Sequence, residues 1–278
     1  MKMCTRSFVV RLVNCVMVSF LVGCSTVRDI YHVAGQYQKQ TAQGMTIFND
    51  KAFLANNTGI CRIYDLKKFS TISSFQFASA HKSNHCNCLD FGVEYPKKDS
   101  FYPTLYISEC SGKGRCFVED VNNGHPVLLQ TISFKKRVTN WVVDRENSQL
   151  YAVAHLMRAN KQTDSMAVYR FPLPAISEGN VDLSDKVEEM FIIHVPYVYQ
   201  GATIHRNKLY LPVGVNRRNK AIKKDIRKIL VVDLRKKGII RQIDITDKVT
   251  NEPEDVSIYR GKLLLFCGQN GGLRKIKY

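Results

Sequence analysis

The sequence predicts an all-β chain of tandem four-stranded units, and three observations carry that prediction. Twelve-residue segments beginning at Gln43, Gln200 and Glu254 align without a gap. Val, Ile, Tyr and Phe alternate with polar residues through most of the chain, and an apolar period of helical type persists almost nowhere. Units recur roughly every 45 to 60 residues, the length of one blade in a closed radial array. A single β-propeller of five four-stranded blades follows, with six as the alternative should Val181 to Val195 hide a further unit.

Each aligned segment reads as a short strand, a tight polar turn and a second strand opening with Lys. The turns are Asn49-Asp50, Arg206-Asn207 and Arg260-Gly261, and Asn, Asp and Gly suit them because they tolerate positive φ. Weaker copies begin near Asn87 and Asn140. A third strand follows each hairpin, as in Cys61 to Leu66 and Ile229 to Leu234. A fourth comes next, as in Ile72 to Phe77, Leu128 to Phe134 and Ile239 to Ile245. The fifth unit runs out at Tyr278 after three strands. Residues Val27 to Val33 are therefore expected to supply its fourth, closing the ring and covering two sheet edges that would otherwise invite aggregation. Val181 to Val195 reads better as an insertion that ends in an outer strand from Met190.

Ahead of the repeats, Lys2, Arg6 and Arg11 precede a mostly apolar run from Leu12 to Val22, which closes in Leu21-Val22-Gly23-Cys24. That quartet resembles the lipobox of bacterial lipoproteins. The resemblance implies removal of residues 1–23 as a signal peptide and a diacylglyceryl group on Cys24. Arg11 and Asn14 leave the apolar run far short of the ~20 residues a membrane span needs. The expected organisation is a signal over 1–23, a lipidated cysteine, tether and closing strand over 24–42, and the propeller over 43–278. The expected location is the outer membrane of a bacterial envelope, on its periplasmic or its surface face.

The chain carries a formal net charge of +17, and loss of the three basic residues of the signal leaves it near +14. That charge favours anionic partners such as lipid headgroups or acidic glycans, and export argues against nucleic acid. The densest positive run, Arg217 to Lys228, reads as a solvated loop or as a clasp for an anionic polymer. Six of the nine cysteines remain beyond Cys24. Most suit small buried hydrophobes; Cys110 and Cys116, across a Gly-containing turn, are the best disulfide candidates. His85, Cys86 and Cys88 lack the spacing and second pair of a zinc site, so no metal is expected.

Loops entering each inner strand, and those between second and third strands, should gather on one face of the ring. The candidate binding residues there are Gln43, Asn56, His85, Asn87, Asn140, Trp141, Gln200 and Glu254. Amides, one imidazole and one indole with few carboxylates suit neutral hydrogen-bonding ligands such as sugars or peptide backbones. Gln43 and Gln200 recur at equivalent positions, which also suits bonding between blades. Trp141 divides between inner-strand core and a platform at the channel mouth. Glu254 stands out because it brings charge where its repeat siblings are amides.

The lipobox with a single propeller looks like the lipid-anchored propeller proteins of Bacteroides-type envelopes. A narrower likeness rests on Thr41-Ala42-Gln43-Gly44-Met45 and Phe53-Leu54-Ala55-Asn56-Asn57-Thr58-Gly59. These are similar to the first blade of plant- and bacterial-type glutaminyl cyclases, five-bladed propellers that close an N-terminal glutamine into pyroglutamate. The resemblance implies the same fold, but the glutamate taken as catalytic in that family falls on Asn56. An amide cannot exchange the proton such chemistry needs. The sequence thus favours a non-catalytic, monomeric, lipid-anchored envelope propeller that needs no cofactor. It would bind a glycan, peptide or envelope protein at the channel face. The rivals are a cyclase-like or hydrolytic enzyme using His85 and Glu254, and a scaffold for outer-membrane protein assembly.

Overall fold

Turn chemistry and two-sided burial build the strands. Positive φ occurs at Asn49 (54°), at Arg206 and Asn207 (50° and 57°), and at Arg260 and Gly261 (48° and 70°). These are the turns that let the first two strands of three units fold back on themselves. The computed structural model describes residues 26–31, 42–81, 85–158, 161–217, 225–268 and 272–277. The expected signal peptide over residues 1–23, Cys24, Asn84 and residues 218–224 of the basic run lie outside the described residues.

The chain opens with β1 (Thr26–Tyr31), then forms five blades. Blade 1 is β2 (Ala42–Phe48), β3 (Lys51–Asn56), β4 (Ile60–Asp65) and β5 (Ser70–Gln76). Blade 2 is β6 (Cys86–Phe91), β7 (Leu105–Glu109), β8 (Cys116–Asp120) and β9 (Val127–Ser133). Blade 3 comprises β10 (Val138–Asp144), β11 (Gln149–Arg158), β12 (Lys161–Pro172) and, after a short β13 (Val181–Asp182), the outer strand β14 (Glu189–His194). Blade 4 has a split inner edge, β15 (Tyr197–Tyr199) and β16 (Thr203–His205), followed by β17 (Lys208–Arg217), β18 (Arg227–Asp233) and β19 (Gly238–Asp244). Blade 5 is β20 (Pro253–Tyr259), β21 (Lys262–Cys267) and β22 (Gly272–Lys277).

The expected closure is present. β1 pairs antiparallel with β22, Thr26 opposite Lys277 and Tyr31 opposite Leu273, so the first strand completes the last blade. Five blades is the count. Val181 to Val195 supplies β14 and a two-residue strap, β13, which crosses back to pair in parallel with β9 of blade 2. Gln130 Nε2 donates to the Ala175 carbonyl at 2.8 Å and helps hold that strap.

Five apolar clusters fill the five spaces between neighbouring blades. Leu263 and Leu265 face blade 4, while Leu264 and Phe266 face blade 1. A blade buried on both faces needs a continuous apolar run, which is why β18 and β21 lack clean alternation. Each fully buried Leu, Ile or Phe contributes roughly 1.5–3 kcal/mol. The six described cysteines are free thiols. The ladder sets Cys116 opposite Ser108, two residues short of Cys110, so the candidate disulfide pair does not face across the hairpin.

Candidate functional site: two mouths of a plugged ring

Gln43, Asn87, Asn140, Gln200 and Glu254 share one register, at the start of the inner edge of each blade. They ring the mouth where inner strands begin, here the inlet. The opposite mouth, where the first-to-second-strand turns gather, is the hairpin mouth.

One arc of the inlet is closed by its own hydrogen bonds. Asn87 Nδ2 donates to Asn140 Oδ1 at 2.7 Å, Asn140 Nδ2 donates to the Gln200 carbonyl, and Gln200 Nε2 donates to Glu252 Oε1 at 2.8 Å. The other arc is open. Gln43 Oε1 and Asn87 Oδ1 are buried without a hydrogen-bond partner among the described residues. Buried acceptors are normally satisfied, so these two oxygens stand apart from the bonded arc.

Glu254 stands beside that open arc, buried and next to Gln43's blade. Its backbone carbonyl accepts Gly201 N–H at 2.6 Å. A Cβ on Gly268 would run into its carboxyl, so that glycine makes the room. Burial, then the charges of Glu252 and Asp255, push the Glu254 carboxyl up to about 9 from an ordinary 4.5. Between those values the folded protein keeps a proton that the unfolded chain has lost. Rising pH therefore erodes stability from about 4.5 upward. Glu254→Gln stays neutral throughout. It should gain on the wild type by about 1–3 kcal/mol between about pH 5 and about pH 9. Thermal melts of both proteins across that window check this; a pH-independent difference would count against it.

Below the inlet the axis is plugged. The buried Asp255 carboxyl group accepts Met45 N–H at 2.7 Å, Val256 N–H at 2.8 Å and a further bond from Leu89 N–H, so it ties blades 5, 1 and 2 together. Cys88 Sγ donates to the Ala202 carbonyl at 3.2 Å. The cavity at the hairpin mouth is lined by no residue of the inlet register.

The remaining candidates fall elsewhere. Asn56 is fully buried, and its Oδ1 accepts Thr58 N–H at 3.0 Å, Thr58 Oγ1 at 2.9 Å and Ile60 N–H at 2.9 Å. It holds the β3–β4 turn rather than facing a ligand. Trp141 lies in the core between blades 2 and 3, its Nε1 donating to the Gly114 carbonyl at 2.9 Å. It is a wedge and not a platform. His85 is partly buried at φ 53° and bridges loops, donating its N–H to Asn57 at 3.1 Å and accepting from Cys110 N–H at 3.4 Å. Burial lowers its pKa.

Two residues had escaped the list. Asp255 occupies the repeat position held by Gly44 and Gly201, and its carboxylate fills the space over Gly201. An acid among glycines at one register is the signal that could have found it. Glu109 stands in blade 2 at the register of Asn56. Burial raises its pKa, but Arg115, bound through two contacts of 2.9 Å, and His81 at 3.3 Å together hold it below the usual carboxylate value. A saturated, ionised carboxylate does not replace the acid missing at Asn56.

The architecture defines a five-bladed β-propeller with a bowl at its hairpin mouth and a ring of buried polar residues at its inlet. Among solved structures, the chain is similar to the glutaminyl cyclase of Myxococcus xanthus. That likeness has 11% identity, covers 91% of this chain and 95% of that one, and has a TM-score of 0.54. It is also similar to hydrazine synthase of Kuenenia stuttgartiensis at 9% identity and a TM-score of 0.46. There the match covers 81% of this chain and spans only 61% of the other. The likeness to the glutaminyl cyclase, at that identity, shows the fold alone. No protein-family model and no curated protein matches the sequence.

Proposed function

We propose that this chain is a non-catalytic, lipid-anchored envelope propeller that captures a peptide segment at its inlet. The observation that carries the reading is the open arc of Glu254, Gln43 and Asn87 on three consecutive blades. It combines two orphaned carbonyl oxygens with a carboxyl that burial keeps protonated. Carbonyl acceptors beside a carboxylic acid complement the paired N–H and C=O of a peptide amide. A glycan offers hydroxyls but no such pairing.

Strand polarity supports the orientation. β1 starts opposite Lys277, at the hairpin face, and Cys24 precedes Thr26 by two residues. An acyl group on Cys24 would tether the hairpin face to the membrane and leave the inlet turned away from it.

Peptide and glycan arrays probed with the protein test the reading. Peptides should bind saturably. Gln43→Leu should weaken them about tenfold while the melting temperature holds, because the side chain it removes has an unpaired oxygen. Absence of peptide binding, or binding indifferent to Gln43→Leu, sinks the proposal.

A second reading is glutamine cyclisation, favoured by one observation: a protonated Glu254 in the mouth of a fold shared with a glutaminyl cyclase. It requires the wild type to convert Gln-initiated peptides to pyroglutamyl products and Glu254→Gln to abolish the conversion. An inactive wild type removes it.

A further inference from the structure

The hairpin mouth is a bowl of about 520 Å3, and its floor repeats one chemistry at one register. Three residues after Gln43, Gln200 and Glu254 stand Thr46, Thr203 and Ser257, each lining the bowl. They are only 3%, 8% and 6% exposed, and what surface they keep lies in the bowl. Blades 4, 5 and 1 are consecutive, so the hydroxyls form one contiguous polar arc.

The arc continues into blade 2, where Asp90 takes the same register. Its Oδ1 accepts Phe91 N–H and its Oδ2 accepts Val143 N–H, both at 3.0 Å, which leaves each oxygen a further lone pair. Val143 closes the circle in blade 3 with an apolar wall. Above the floor, the isoleucine that follows each hydroxyl residue forms a collar. Arg145 stands at the rim with its guanidinium 5.5 Å from the centre of the Phe48 ring, and its charge also acts on Asp90.

We infer that the hairpin mouth is a second binding site, for a monosaccharide-sized polyol, and that Arg145 favours a sugar carrying a carboxylate. Sugars present hydroxyls around their edge and C–H groups on their faces. The site answers with three hydroxyls and a carboxylate around the ring, and with valine and isoleucine against the faces. Two or more hydroxyls paired at once give the orientation that a single polar group cannot. A free saccharide and the sugar headgroup of a membrane glycolipid share this chemistry. No residue of the inlet register lines this bowl, so the site is independent of the inlet.

Calorimetric titration and saturation-transfer NMR with D-glucuronate and D-glucose test the inference. The wild type should bind glucuronate with a dissociation constant at or below about 1 mM and glucose more weakly. Thr203→Val and Ser257→Ala should each weaken both sugars about fivefold to tenfold. Arg145→Ala should bring glucuronate down to the level of glucose, and Gln43→Leu at the other mouth should change neither. Vesicles with and without a glucosyl lipid distinguish the sources: retention on glycolipid vesicles alone, competed by free sugar, identifies the headgroup. The inference is overturned if neither sugar binds the wild type, if sodium chloride reproduces the glucuronate signal, or if Thr203→Val folds normally and binds unchanged.

Discussion

Deletion of Thr26–Tyr31 is expected to lower the melting temperature by about 10–20 °C and to drive the protein toward aggregates. β1 is the outermost strand of blade 5, and its ladder to β22 joins residues nearly a chain length apart. Removing it exposes the β22 edge and withdraws Val27 from the cluster between blades 4 and 5. Several ladder bonds at roughly 1 kcal/mol each, with the apolar contact, sum to about 5 kcal/mol. For a chain of this size each kcal/mol is worth about 2–4 °C. Calorimetry and size-exclusion chromatography check both parts. A deletion that melts like the wild type as a monomer would show that the ring does not depend on its closing strand.

Asp255→Ala should destabilise the protein by about 3–5 kcal/mol, read as a shift in the urea midpoint at unchanged slope. The carboxylate satisfies backbone N–H groups from Met45, Val256 and Leu89, in a site with no access for water to replace it. Each donor left unpaired costs about 1–3 kcal/mol. Burial pushes the Asp255 carboxyl far above its usual range, so its charge is costly and its geometry is what stabilises. Asp255→Asn keeps the shape and one acceptor oxygen and should recover about half of the loss. Gly201→Ala approaches the same site from outside, because its methyl would collide with that carboxylate. A loss below about 1 kcal/mol for Asp255→Ala would mean that the axis reorganises around the gap.

Much of the fold was legible because it is written in local chemistry. The Asn49, Arg206-Asn207 and Arg260-Gly261 turns adopt the positive φ that their residues tolerate. The repeated Lys-led second strands begin at Lys51, Lys208 and Lys262 as the alignment required. The inlet register was legible for the same reason, since a gapless repeat places Gln43, Gln200 and Glu254 on equivalent strands. Asn56 and Trp141 were harder. Both residue types serve equally as ligand contacts and as internal caps or wedges, and only their neighbours distinguish the roles.

What the linear order determined by itself is the module: strand, turn and strand, five times over, with a spare strand at the start to close the circle. The strands and their turns follow from interactions among residues a few positions apart. What only the tertiary structure decided is which polar groups are spent on the protein and which stay open. Asn87 meets Asn140 across 53 positions, and Met45 meets Asp255 across 210. A hydrogen bond consumes a lone pair wherever its donor comes from, and a donor delivered by another blade leaves no trace in the local pattern. The satisfied arc and the open arc of the inlet therefore look alike along the chain, and differ only once the ring is closed.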